Sequence, residues 1–107
     1  MTHWVYILEC ADGKLYTGVT TDVAKRVAEH EQGIFPDAFT FSRRPVTFLR
    51  AFDFANLEDA RTFERQVKGW SRKKKWALID GGIEAVFGLQ NRAQASRPST
   101  GSGRKEL

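Results

Sequence analysis

At 107 residues the chain has room for one domain with a modest core, and a composition of 41% hydrophobic and 28% charged residues is that of a globular protein. The formal charge of +4 sits mostly at one end: Arg92, Arg97, Arg104 and Lys105 against Glu106 give residues 90–107 a net +3, leaving +1 for residues 1–89. Cys10 is the sole cysteine, which excludes an internal disulfide; with no apolar run near the roughly 18 residues of a membrane span and no signal peptide before the first strand, a soluble cytoplasmic protein is expected.

In chain order, His3 to Glu9 is β-branched and aromatic, apolar on both faces, and reads as a strand in a covered position. Ala11-Asp12-Gly13 is turn chemistry, and Leu15 to Thr20 reads as a returning strand. Thr21-Asp22 offers an N-cap for a helix near residues 22–32. Gly33 to Pro45, with its glycine, two prolines and paired arginines, reads as a loop, and Val46 to Phe54 as a third strand. Asn56 and Ser71 can cap two further helices, about 56–69 and 71–80, ending near Gly69 and Gly81-Gly82, before a short turn at Ile83 to Leu89. From Gln90 the Ser, Gly, Pro and Arg text lacks periodicity and is expected to be a disordered basic tail, with residues 1–89 forming the domain. The order β-β-α-β-α-α implies an α/β fold, a small three-stranded sheet, at least partly antiparallel, flanked by helices.

The hairpin leaves one question open. A two-residue Asp12-Gly13 turn would send Tyr6 and Tyr16 to opposite faces. A three-residue loop with Gly13 left-handed would pair Cys10 with Lys14, set Gly18 opposite Tyr6, and bring both phenols to one face.

The helices carry charges on their apolar sides. Val23, Val27 and His30 share a helical face, with Arg26 on or beside it. Leu57, Ala60 and Val67 mark the stripe of the next helix, and Glu64 falls inside it. A carboxylate there must be paired, protonated or metal-bound, since an unpaired buried charge costs several kcal/mol. A structural Arg26–Glu64 bridge would satisfy it. So would a functional site: glutamate suits Mg²⁺, arginine a phosphate, and tyrosine or histidine proton transfer, which together describe metal-assisted phosphodiester cleavage. No phosphate-cradling glycine loop, Cys/His metal spacing or serine elbow competes. Arg61, Arg65, Lys68, Arg72, Lys73, Lys74 and Lys75 form a basic run interrupted by the single acid Glu64, and four of those cations oppose a helix macrodipole. That placement favours an anion over helix stability.

These residues resemble the GIY-YIG domain, a nuclease module named for two tripeptides that stand here as Trp4-Val5-Tyr6 and Tyr16-Thr17-Gly18. The stretch T-T-D-V-A-K-R-V-A-E-H resembles the first helix of the family, with Arg26 on its catalytic arginine and His30 on a frequent active-site histidine. E-R-Q-V-K, Glu64 to Lys68, resembles the metal-binding stretch. R-R-P-V and S-R-K-K-K-W-A-L-I resemble the small stand-alone bacterial members.

The likeness covers about residues 3–80. It departs at Trp4 and Val5, and at Ala38 and Phe39, where small relatives often carry lysine and tyrosine. It implies a Mg²⁺- or Mn²⁺-dependent endonuclease acting on DNA, selective for structure or reliant on a protein partner for targeting, with no membrane role. A non-catalytic nucleic-acid-binding module of the same fold is the alternative. The implied roles put one metal ion on Glu64, Arg26 on the scissile phosphate and His30 in proton transfer or orientation. Tyr6 and Tyr16 share the attacking water, and Gly18, Lys68, Arg72, Lys73, Lys74 and Lys75 contact substrate. Such chemistry needs convergent phenols, so the three-residue hairpin loop is expected.

Overall fold

The computed structural model describes residues 1–88, so the expected tail at 90–107 lies outside the described residues. Two compact units are present, Met1–Trp70 and Ser71–Leu107, the second described as far as residue 88.

The first unit holds strands β1 (His3–Glu9), β2 (Leu15–Thr20) and β3 (Thr47–Phe54) with helices α1 (Val23–Gln32) and α2 (Leu57–Lys68). The sheet is antiparallel throughout, in the order β2-β1-β3. The doubly apolar β1 is therefore central, and Val5, Tyr6, Ile7 and Leu8 are wholly buried. The hairpin takes the three-residue loop. The Cys10 N–H donates to the Lys14 carbonyl at 2.8 Å, the Gly13 N–H donates to the Cys10 carbonyl at 2.9 Å, and Gly13 sits at φ 86°. The Lys14 N–H donates to Asp12 Oδ1, an Asx contact that stiffens the turn. The register then pairs Tyr6 with Gly18 and Leu8 with Tyr16.

Each sheet face has its own helix. Tyr6, Leu8, Cys10 and Val46 form a core on one face, covered by Val23 and Val27 of α1. On the other face Phe63 of α2 meets Phe52 and Phe54 at ring-centroid distances of 5.7 and 5.2 Å. Asp22 and Asn56 cap α1 and α2 as their chemistry suggests, accepting from the Lys25 and Asp59 N–H groups. Glu58 and Asp59 in the first turn of α2, with Arg65 and Lys68 in its last, complement the helix dipole. The stripe of α2 runs through Ala60, Phe63 and Val67, whereas Leu57 lies in the first turn and is largely exposed. Cys10 is a buried small apolar residue, and burial pushes its thiol pKa up.

The long loop 33–45 contains a 3₁₀ turn, Phe41–Arg43. β3 is not regular. Ile7 faces Arg50 and Leu8 faces Phe48, so Leu49 is an extra residue in a bulge.

In the second unit, Ser71 caps α3 (Arg72–Gly81), its hydroxyl accepting the Lys74 N–H, and a π turn follows at Glu84–Gly88. Gly81 is still helical, and α3 ends at Gly82. Leu78 and Ile79 are its buried positions.

Candidate active site

The candidate site on the sheet is built around β1. Strand alternation and the loop register place Tyr6 and Tyr16 on the same face with ring centroids 6.1 Å apart. Gly18 lies directly across from Tyr6. A Cβ there would stand 2.5 Å from the Tyr6 hydroxyl, so any larger residue would displace the phenol. Glycine is required at this position for space, and the second tripeptide supplies it.

Helix α1 delivers His30 to the same point. Its ring lies 5.9 Å from Tyr6 and 5.1 Å from Tyr16, and it is 3% exposed. Two hydrogen bonds hold it: Nε2 to the Tyr6 hydroxyl at 2.9 Å, and Nδ1 to the Thr40 hydroxyl at 2.7 Å. Thr40 is 1% exposed and Tyr6 is fully buried, so the three groups form a polar chain sealed from water. Unpaired, each would cost about 1–3 kcal/mol.

The electrostatics follow from this burial. Desolvation pushes the Tyr6 phenol well above the usual tyrosine range, the Tyr16 phenol pushes the same way, and the Arg26 guanidinium opposes both. Desolvation and Arg26 also hold the His30 imidazole below its ordinary value, against a smaller upward pull from Glu29. At neutral pH, Tyr6 is a phenol and His30 a neutral imidazole. Arg26 is a donor only, and its positive charge near the phenol opposes the rise in the Tyr6 pKa. That arrangement favours the Tyr6 O–H donating to Nε2 and the Nδ1–H donating to Thr40.

Arg26 is partly exposed and pairs with Glu29 at 3.1 Å, one helical turn along α1. Its guanidinium also lies 5.6 Å from the Phe35 ring centre. Glu64 pairs with Lys68 at 3.0 Å on α2, its side chain 21% exposed. The apolar stripe of α2 thus holds a paired carboxylate, with Lys68 in the part that an Arg26–Glu64 bridge would have played. The structure brings Tyr6, Tyr16, Arg26 and His30 together; Glu64 and Lys68 form a separate pair on α2. Arg72, Lys73 and Lys74 are exposed and Lys75 half-buried on α3, where Arg72 lies over the Trp76 ring at 6.0 Å.

Sequence reasoning missed the contribution of the long loop. Phe39 stacks on Tyr16, with centroids 6.2 Å apart and planes 19° from parallel, and Phe35 meets His30 edge-on at 5.7 Å. Arg43 lies 3.9 Å over Phe39, donates to the Phe39 carbonyl at 2.8 Å and pairs with Asp12 in the hairpin turn at 3.1 Å. The signal was the unusual apolar content of G-I-F-P-D-A-F-T-F. An apolar loop needs something to cover, and this one covers the His30 and Tyr16 rings.

A divalent cation fits the donors on hand. Mg²⁺ requires only one or two carboxylates and keeps its waters, and Glu64 offers a partly buried carboxylate whose partner rides on a flexible lysine stem. Among the described residues no group of three His, Cys, Asp or Glu forms a closed site, so a zinc-type cage is not what these residues offer. Among the same residues no helix is long and apolar enough to cross a membrane.

Comparison with known proteins agrees with this geometry. The family model described as GIY-YIG catalytic domain matches residues 2–77. UPF0213 protein BH0048 of Halalkalibacterium halodurans is 43% identical over 79 residues, covering 74% of this chain and 83% of the relative. UPF0213 protein VNG_2274C of Halobacterium salinarum is 45% identical over 77 residues, covering 72% and 99%. The solution NMR structure of the BH0048 protein superposes with a TM-score of 0.50 at 40% identity, covering 83% of this chain and 97% of that one. A family match over residues 2–77, most of the chain, makes this chain a member of the GIY-YIG family of nuclease domains.

Proposed function

We propose that the chain is a divalent-metal-assisted endonuclease that hydrolyses phosphodiester bonds in DNA, choosing its substrate by structure or with a targeting protein. The observation that carries this reading is the convergence of Tyr6, Tyr16, His30 and Arg26 on one sheet face, opened by Gly18 and closed by Phe35 and Phe39. Four polar side chains gathered on an otherwise apolar face are costly to maintain for packing alone.

The residues divide the work by exposure. Tyr16, half-buried at the edge of the cluster, is the phenol that meets and orients the attacking water. Tyr6, sealed beneath it with a raised pKa, keeps its proton and holds the neutral His30 in place through its hydrogen bond to Nε2. Thr40 keeps that ring oriented by occupying Nδ1. Arg26, always charged and partly exposed, binds the scissile phosphate once it lets go of Glu29. Glu64 would hold Mg²⁺ or Mn²⁺, released from Lys68, and the ion would neutralise charge building on the phosphate. Lys68, together with Arg72, Lys73, Lys74 and Lys75 on α3, would add salt-sensitive contacts to the backbone.

The test is cleavage of labelled single-stranded, duplex, flapped and branched DNAs with Mg²⁺, Mn²⁺ or EDTA, comparing the wild type with Glu64→Gln. Metal-dependent cutting that is lost in Glu64→Gln supports the nuclease and ranks its substrates. DNA retained at low salt without cutting in any metal would make this chain a non-catalytic binding module of the family.

A further inference from the structure

The same sheet face carries a second feature that the nuclease reading does not use. A shallow, open depression of about 370 Å³ lies beside the Tyr6 cluster, lined by Trp4, Thr21, Asp22, Val23, Phe48 and Ala51. Its volume is that of a small-ligand site. Its construction follows from strand geometry. Trp4 lies two residues before Tyr6 on β1, on the same face and about 7 Å along the strand. Ala51 is directly opposite Tyr6 and forms a small floor. Phe48 reaches this face because the bulge at Leu49 shifts its phase; in a regular strand it would point to the α2 side with Arg50 and Phe52. Phe48 is 45% exposed, an aromatic ring held in water at the rim of the depression. The start of α1, Thr21 to Val23, is the remaining wall.

We infer that this depression is a nucleobase subsite, taking one unstacked base of the strand whose phosphate lies at Arg26; the inference rests on the nucleic-acid reading above. The lining chooses the base over the phosphate. Two aromatic rings offer stacking surface, and Ala51 and Val23 offer apolar contact. Asp22 is the one charged residue among the lining residues, and its carboxylate, with Oδ1 already accepting the Lys25 N–H, repels phosphate and accepts from an amino or imino N–H on a base edge. Trp4 stands where the first tripeptide departs from its glycine. The departure therefore supplies the wall of a site on the same sheet face as Tyr6, two residues along β1.

The test is done with the full chain in EDTA, so that nothing is cut. Anisotropy of a labelled single-stranded oligonucleotide is measured for the wild type, Trp4→Leu and Phe48→Ala. In parallel, NMR spectra follow the Trp4 indole N–H and Val23 methyls during titration with adenosine or with inorganic phosphate. The expected result is a loss of affinity of about 5- to 150-fold in each variant, the range of one base–aromatic stack. Adenosine should move the Trp4 and Val23 signals and phosphate should leave them in place. Phe48 is exposed, so Phe48→Ala remains informative if Trp4→Leu fails to fold. Equal binding by the wild type and a folded Phe48→Ala, or movement of these signals by phosphate and not adenosine, overturns the subsite while leaving nucleic-acid binding intact. An oligonucleotide that the wild type does not bind at all overturns both readings.

Discussion

The two faces of β1 solve the same burial problem in opposite ways. Toward α2 the buried residues are mostly apolar, Val5, Ile7, Phe52, Ala60, Phe63 and Val67, with the Phe52 and Phe63 rings 5.7 Å apart. Toward α1, the next residues along the same strand place a phenol, an imidazole and a threonine hydroxyl in a sealed hydrogen-bonded chain. The first face contributes stability through apolar area removed from water, at roughly 25 cal/mol per Å². The second is held together only because every polar group has a partner, and it gains geometry in place of stability. The Tyr6, Tyr16 and His30 cluster sits on the face that is more expensive to bury.

Five substitutions, one of them read in a pH titration, can break or sharpen that contrast. The largest effect is expected for Arg26→Ala, which should lower cleavage by about 100- to 1000-fold, the cost of losing one charge-stabilising donor, with little change in stability because Arg26 is partly exposed. Comparable stability loss with no loss of cleavage would move the phosphate site elsewhere. Phe63→Ala, on the hydrocarbon face, should cost about 3–5 kcal/mol in denaturant unfolding and leave cleavage per folded molecule unchanged. Gly18→Ala should destabilise by about 1–3 kcal/mol and impair cleavage as well, because the new Cβ must push the Tyr6 phenol off His30. Thr40→Val keeps the volume but strands His30 Nδ1. It should cost about 1–3 kcal/mol, and it should alter the pH profile of cleavage, which a merely packing role would not do.

The pH dependence of stability gives the smallest signal and has a defined sign. His30 has a folded pKa below its ordinary 6.5, so both states are neutral above that value and its contribution is fully present. As pH falls below 6.5 the unfolded chain takes up the proton first, and stability declines until the folded pKa is passed. Tyr6 has a folded pKa above its ordinary 10.0, so its contribution is complete below pH 10 and is lost as pH rises beyond it. Urea midpoints measured from pH 5 to 11 should therefore fall at both ends, and Tyr6→Phe should flatten only the alkaline limb.

Much of the fold was legible locally. Asp22, Asn56 and Ser71 announce three helix starts because a capping side chain bonds a backbone N–H only three residues on. That β1 is covered was legible because a strand apolar on both faces needs packing on both; that it is the central strand was decided by the sheet order. The turn residues alone left the hairpin register open, since Ala11-Asp12-Gly13 is compatible with either loop; the convergent phenols that the family resemblance requires pointed to the three-residue loop, which the structure has. The long loop was harder. Its apolar residues were visible, but Phe35, Phe39 and Thr40 find their partners on α1 and β2 across the fold, and no local periodicity encodes such contacts.

By itself, then, the sequence determined the order and bounds of the elements, the caps that start the helices, and the tripeptides that mark the family, all of which rest on interactions between residues a few positions apart. Only the tertiary structure decided that Tyr6 is sealed while Tyr16 reaches the surface, that Glu64 pairs with Lys68, that Thr40 orients His30, and that a one-residue bulge turns Phe48 toward Trp4. The physical reason is that exposure, pairing and side-chain direction at these positions depend on which distant surfaces meet, and that is set by closing the first unit, Met1–Trp70, around β1.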